Sequence, residues 1–317
     1  MSLDKVEENL GMDHDIRIGE IIKYYRCANG LSQEALAENI CSREYLGKVE
    51  RGKCVPTLEM VSMLSERLQV NLFDSFATLL HHHDMETHRK IEWLNEFLAK
   101  HDYTAMHEAV LEVSGLDSFQ SGEPFQILCY LEAVYHSNHL HDYEEAIKLD
   151  EKCLLDKFPD WDSVFGENAA FSNVELSALL NLASCFYRAG QPEEGKKCLH
   201  LLRRYTRRVI SRPHYSVNRN HHFEMNLYYY TIYNEVCYSL DWNEEQLHLV
   251  EEALDMTRSW KYSELLPEFL FLKAILLSKL ERKPEAEEYW DMAHHVGKVF
   301  YSEPSLKELE HAFREEF

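Results

Sequence analysis

Four long polar side chains, Arg43, Glu44, Tyr45 and Lys48, cluster in one short stretch of the chain. Arg and Lys donate to phosphate oxygens and to the acceptor edge of guanine, Glu accepts from the cytosine amine, and a Tyr hydroxyl does either. Together they have the chemistry of reading base edges, provided one helix face carries all four. The flanking residues supply that helix. Ser42 caps it, and Leu46 and Val49 form its apolar back. Ser32 caps a preceding helix on which Leu36 and Ile40 share a face at i, i+4, and Ile40-Cys41-Ser42 makes the turn between the two. Ala35 and Ala37 lie across the gap and help to close a small core. A short helix with an apolar back and long polar residues at its N-terminal end is what a major groove admits.

A second constellation lies further along. Ser177, Asn181, Ser184 and Arg188 are spaced four, three and four apart, so on a helix they share a stripe. An Asn side chain offers one acceptor and two donors, which satisfies both halves of an extended peptide unit. Tyr228 and Glu235 occupy the equivalent stripe in the next helical unit, and Asn138 in the preceding one. Tyr228, Tyr229, Tyr230 and Tyr233 form an aromatic cluster of which alternate members face the core, leaving at most two for a ligand. Arg203, Arg204, Arg207 and Arg208 make a basic patch on a neighbouring helix, either an anchor for a peptide carboxylate or a solvated face, and the second is the preferred reading.

Other chemistries find no support. A Gly-rich phosphate loop, a nucleophile elbow and an HExxH helix are all missing, so the sequence does not read as an enzyme. Adjacent residues do not share a helix face, so His81-His82-His83-Asp84, His221-His222 and His294-His295 read as polar segments rather than metal sites. No cofactor is implied. The eight Cys lack CxxC spacing and read as small, mostly buried residues of a reduced protein. No signal peptide or membrane-length apolar run is present, which points to a soluble cytoplasmic chain with no membrane partner.

The elements that hold these residues are helical throughout. Hydrophobic residues make up 45% of 317, with only 11 Gly and 8 Pro, which argues for an all-α chain with a sizeable core. The net charge is −22, unevenly spread. Residues 16–73 hold eight Lys and Arg against seven Asp and Glu, a balance of +1, whereas residues 77–317 hold 24 against 42, a balance of −18. An acidic body repels phosphate, so contact with nucleic acid should be confined to one N-terminal face. Five helices fit between Ile16 and Leu80. The first runs to Ala28 on an Ile18, Ile21, Ile22 and Tyr25 face, the fourth is capped by Thr57 with Leu58, Val61, Leu64 and Leu68 inward, and the fifth starts at Asn71 with Leu72, Phe76 and Leu79. From Met85 onward, helix pairs recur around polar turns at residues 100–103, 141–144, 189–192, 240–243 and 281–284. Ala146, Gly195 and Ala286 hold a small position early in the second helix of a pair. The expected division is a head at 1–80, a linker at 81–87 and a repeat domain at 88–317 whose last helix, from Pro304, is a cap.

The stretch from Ile16 to Phe76 resembles the lambda-repressor-like helix-turn-helix domain. The matching residues are Arg26, Leu31-Ser32-Gln33-Glu34, Leu36-Ala37, Glu50-Arg51-Gly52-Lys53 and Pro56-Thr57-Leu58. The resemblance implies that Gln33 touches phosphate or a base edge, that Arg43, Glu44, Tyr45 and Lys48 are the reading positions, that Arg51 and Lys53 contact the DNA backbone, and that Arg26 and Glu50 form a structural ion pair. The chain departs from the pattern in a turn one residue short and in Gly47, which costs up to ~1 kcal/mol in a helix but leaves room for close approach of a phosphate. The stretch from Leu179 to Leu202 resembles a tetratricopeptide repeat at Ala183, Tyr187, Gly190 and Gly195, and the helix-pair spacing is near that repeat's period of about 34 residues. The likeness implies a right-handed solenoid of about five repeats, with Asn181 where peptide-binding repeats grip a backbone amide. A helix-turn-helix head on such a body resembles the Rap, Rgg, NprR, PlcR and PrgX family of peptide-pheromone receptors, nearest to its PlcR-type transcriptional regulators, with the run Ala37-Glu38-Asn39-Ile40-Cys41 matching that subgroup. The family implies a cytosolic homodimer that binds a short signalling peptide in quorum sensing and a near-palindromic double-stranded DNA operator. The alternative is a repressor whose repeats bind another protein.

Overall fold

The computed structural model describes residues 18–73, 85–166, 169–210, 222–239, 242–260 and 265–314. Every regular element among them is helical, and none of these helices is long and apolar enough to cross a membrane. The chain divides into two compact units, Met1–Tyr135 and His136–Phe317.

The first unit opens with α1 (residues 18–28), α2 (Gln33–Ala37), α3 (Arg43–Val49) and α4 (Leu58–Leu68). Ser32, Ser42 and Thr57 cap α2, α3 and α4 as expected, each side-chain oxygen accepting from the amide three residues on. The amphipathic faces meet in one core of Ile21, Ile22, Leu36, Leu46, Val49 and Leu64, with Val61, Leu68 and Leu72 around it. α2 stops at Ala37 rather than running to Ile40. Asn39 takes a left-handed φ of 59°, and the amides of Ile40 and Cys41 both return to the Ala37 carbonyl. Ala35 is consequently exposed and only Ala37 joins the core. Leu58 is also outside, 77% exposed, because Pro56 takes the buried place ahead of the Val61, Leu64, Leu68 stripe. Asn71, where the fifth helix was expected to start, accepts from the Phe73 amide through its Oδ1 at 3.1 Å; Phe76, Leu79 and the His81–Asp84 run lie outside the described residues. The unit continues with α5 (Met85–Ala99), α6 (Tyr103–Val113) and α7 (Gly122–Tyr135), with both α5 and α7 packed on α6.

The second unit begins with a π-helical segment, His136–Leu140. It continues through α8 (Tyr143–Leu155), the short α9 (Trp161–Val164), α10 (Asn173–Arg188), α11 (Pro192–Ile210), α12 (His222–Cys237), α13 (Glu244–Trp260), α14 (Leu266–Lys279), α15 (Lys283–Phe300) and α16 (Glu303–Arg314). Along the chain from α5 the described helices follow one another to a final helix, α16, in the succession that the sequence pattern led one to expect. Four of the described turns share one device. His101, His141, Gly190 and Glu281 all adopt positive φ, and after the first two the next residue, Asp102 or Asp142, caps the following helix. α10 packs on α8, α11 and α12, while α16 packs on α15 and α14. The small positions allow this: Ala146 and Ala286 are fully buried, and a Cβ on Gly195 would stand 2.6 Å from the Tyr187 ring. α14 is buried on all sides from Pro267 to Leu277, two charged residues included, Glu268 and Lys273, the second of which donates to Glu251 at 2.8 Å.

Hydrophobic periodicity says nothing of how tightly α1 meets α3. A Cβ on Gly19 would lie 1.9 Å from the Val49 carbonyl oxygen, a backbone atom with no freedom to turn aside. Gly19→Ala should therefore cost the head about 3 kcal/mol, seen as a loss of roughly a hundredfold in amide exchange protection across α1–α3 with α10–α14 unaffected. Equal protection in the variant would show that the two helices part freely.

Candidate functional site

α3 is built as the sequence implied. Leu46, Gly47 and Val49 are buried, while Arg43, Glu44 and Lys48 are exposed, as are Arg51 and Lys53 beyond its end. Tyr45 differs. It is half-buried against the head core, and its hydroxyl donates to the Val55 carbonyl at 2.9 Å, tying the helix to the loop that follows. The exposed set combines four cations with one carboxylate, a donor-rich surface on a rigid apolar base.

Glu50 supplies the rigidity. Only 5% exposed, its Oε1 accepts from Arg26 Nε at 2.6 Å, and its Oε2 accepts from Arg26 Nη2 at 3.2 Å and from Gln33 Nε2 at 2.7 Å. Arg26 Nη1 also donates to the Leu31 carbonyl at 2.8 Å, and hydrogen bonding to Glu50 raises the already high pKa of the guanidinium. One carboxylate thus joins α1, the start of α2 and the end of α3. The Arg26–Glu50 pair was expected; Gln33 as its third member was not. Gly47 sits beneath this arrangement. A Cβ there would lie 3.3 Å from Arg51 Nη1 and 3.5 Å from Gln33 Oε1, so the glycine makes room for those two side chains. Arg67 was missed altogether: its Nη1 donates to the carbonyls of Ala35, Leu36 and Glu38, closing the C-terminal end of α2.

In the second unit the candidate ligand residues separate. Asn181 is half-buried and both halves of its amide are engaged: Nδ2 donates to Asp150 Oδ2 at 2.8 Å, and Oδ1 accepts from Ser137 Oγ at 3.2 Å. Ser184 Oγ bonds back to the Leu180 carbonyl, and Ser177 is half-buried. Arg188 is exposed and reaches the hydroxyls of Tyr143 at 3.2 Å and Tyr238 at 3.4 Å, with Tyr187 stacked on Tyr238 at 4.6 Å between centroids. Tyr228 corrects the sequence reading. It is fully buried, and its hydroxyl donates to Glu252 at 2.9 Å. Tyr229 is buried as well, and Tyr230 is the member that faces out. Glu235 pairs with Arg203 at 2.8 Å rather than standing open, and Asn138 is exposed on the π segment, off any α-helical stripe. His294 and His295 go to Glu310 and to the Asp291 carbonyl, and no cluster of three or more metal-binding side chains occurs among the described residues. Cys41 is half-buried, and burial raises its thiol pKa, which works against redox reactivity.

Residues 22–74 match the family model described as Helix-turn-helix. No curated protein sequence matches the chain. Among solved structures it is similar to Bacillus thuringiensis PlcR in complex with the peptide PapR7 and DNA, at 18% identity and a TM-score of 0.61, covering 94% of this chain and 99% of that one. It is also similar to ComR from S. thermophilus in complex with DNA and its signalling peptide ComS, at 18% and 0.51, covering 94% and 99%. A third is the Streptococcus dysgalactiae SHP pheromone receptor Rgg2, at 14% and 0.53, covering 95% and 100%. At these identities the likeness establishes a shared fold over nearly the whole chain.

Asp150, which no sequence pattern marked, carries a pH signature. It is fully buried, and its Oδ1 has no partner among the described residues. Burial raises its pKa well above the ordinary carboxylate value, with Glu151 adding to the rise and the Asn181 bond opposing it. A raised folded pKa means the fold favours the neutral acid. That contribution is complete below the unfolded pKa of about 3.9 and is lost as pH rises toward the folded value. Asp150→Asn, neutral at every pH, should therefore gain on the wild type in unfolding midpoint, and by more at about pH 8 than at about pH 5. Parallel stability curves for the two proteins would show that the carboxyl is not held neutral.

Proposed function

We propose that this chain, which shares its fold with PlcR, ComR and Rgg2, is a cytoplasmic transcriptional regulator that reads DNA through α3 and is controlled by a short signalling peptide bound to its helical repeats. The observation that carries the reading is the pairing in α3 of an exposed Arg43, Glu44 and Lys48 with a fully buried Leu46 and Val49, all fixed by the Glu50 network. Arg43 and Lys48 supply donors for base edges or phosphate, and Glu44 an acceptor. Arg51 and Lys53 contact the sugar-phosphate backbone. Gln33 and Tyr45 act mainly by holding α3 in place, since their polar groups already bond to Glu50 and to Val55. The head is residues 1–80, followed by a linker at 81–87 and the repeat domain at 88–317.

The peptide half of the reading draws support from the solved complexes of PlcR and ComR with their peptides. Within this chain the open donors lie at Arg188 and Ser177 rather than at Asn181, whose amide is occupied. A helix the length of α3 covers too few base pairs for operator specificity, so the regulator works as a homodimer on a near-palindrome, its half-sites one or two helical turns apart.

Arg43→Ala and Lys48→Ala should each weaken operator binding by about 1–3 kcal/mol, roughly fivefold to 150-fold, while leaving the fold intact. A base contact relaxes specificity at one position, whereas a phosphate contact weakens all sequences alike and lowers the salt slope. Gel-shift titrations at two salt concentrations separate these cases, and wild-type affinity in both variants would remove α3 as the reader. Titrating the full chain with the small-peptide fraction of its own culture medium tests the other half: a saturable shift in operator affinity supports a peptide ligand, and its absence leaves a protein partner as the better reading.

A further inference from the structure

α11 stands apart in an acidic body. It carries Lys196, Lys197, Arg203, Arg204, Arg207 and Arg208, six of the 24 basic residues in 77–317. The sequence alone leaves the four arginines between a carboxylate anchor and a solvated face and favours the face; the structure gathers three of them with Lys197. A cleft of about 590 Å³ is lined by Lys197, His200, Arg203, Arg204 and Arg207, with Phe165 at one edge and the buried Leu201 at its floor. Arg204 Nη2 donates to the Phe165 carbonyl at 3.1 Å, which fixes that edge. Arg203 is held by Glu235 on α12 at 2.8 Å, and Arg207 by Glu252 on α13. Burial first, then Arg203 and Lys196, lower the His200 pKa, with Glu245 opposing. None of the α10 residues Ser177, Asn181, Ser184 and Arg188 lines it.

A guanidinium has five N–H donors, and each of these three arginines is seen to spend one of them on the contacts above. The carboxylates of Glu235 and Glu252 hold Arg203 and Arg207 in place. We propose that the cleft is a binding site for a short acidic peptide segment presenting two or more carboxylates to Arg203, Arg204, Arg207 and Lys197, with its apolar part against Phe165 and Leu201. The volume lies in the range of small-ligand pockets. A DNA backbone fits less well, because its continuous charge would have to pass Glu235 and Glu252 and the surrounding acidic surface. The proposal stands independently of the signalling-peptide reading, since the site uses α11 and needs no DNA.

The test is calorimetry of the full chain with tri-glutamate at low salt, with tripolyphosphate as the phosphate arm. Tri-glutamate should bind, and Arg204→Ala should weaken it at least tenfold. Lys197→Ala, whose side chain lies outside the core, should weaken it less and guards against a folding defect in the first variant. Raising the salt should weaken binding as well, since exposed charges are screened. No tri-glutamate binding, or equal binding by both variants and wild type, would overturn the proposal. Tripolyphosphate binding without tri-glutamate binding would assign the cleft to phosphate and overturn the carboxylate class.

Discussion

One buried carboxylate organises the head. Glu50 takes three N–H donors from two residues on different elements, and those bonds are what make its burial tolerable, because an unpaired charge there would cost several kcal/mol. The converse matters more for function. A helix of seven residues has too few internal bonds to stand alone, so α3 holds its direction only because both ends are tied: Ser42 caps the start, and Glu50, the C-cap residue, joins the end to α1 and α2. Tyr45 adds a third tie through Val55. The exposed Arg43, Glu44 and Lys48 then present fixed geometry, which is what discrimination between base edges requires.

The second unit uses the same tactic on a different scale. Its helices approach closely at Ala146, Gly195 and Ala286, and polar side chains at the crossings bond to one another rather than to solvent. The Asp150–Asn181–Ser137 chain crosses from α8 to α10 and the π segment, while Tyr228–Glu252–Arg207 joins α12, α13 and α11. Such links fix which helix faces pack together, since slipping one would strand a buried polar group at about 1–3 kcal/mol each. Their cost appears as orphaned atoms, Asp150 Oδ1 and Glu235 Oε2 among them.

How far the sequence spoke follows from the range of each signal. Periodicity and caps are local, so the helix order, the three N-caps and the small positions at Ala146, Gly195 and Ala286 could all be read directly. The Arg26–Glu50 pair was legible through family likeness alone. Contacts between distant residues leave no local trace. Nothing in the spacing of Ser177, Asn181, Ser184 and Arg188 says that the second will turn to Asp150 on another helix, and nothing around Tyr228 says which of three consecutive tyrosines faces Glu252. Gly19 carries no side chain to mark it; its need arises only from the Val49 carbonyl facing it. Arg67 likewise reads as one more exposed charge on α4 until the end of α2 is placed beside it.

The distribution of charge then bears on how a strongly acidic chain approaches a polyanion. Residues 16–73 are nearly neutral at +1, and the residues from 77 onward carry −18. Over the Debye length of about 8 Å at physiological salt, a phosphate meets only the charges in its immediate neighbourhood. At α3 these are Arg43, Lys48, Arg51 and Lys53 against Glu44. Elsewhere the excess of Asp and Glu turns a duplex away, which suppresses nonspecific association, the very term that dominates for basic proteins. On the proposed role, a chain arranged this way would give up general affinity for DNA and depend on a few base and backbone contacts. Under the proposed DNA-reading role, the stiffness that Glu50 gives α3 would set specificity directly, because little nonspecific binding would be available to compensate for a loosely held reader.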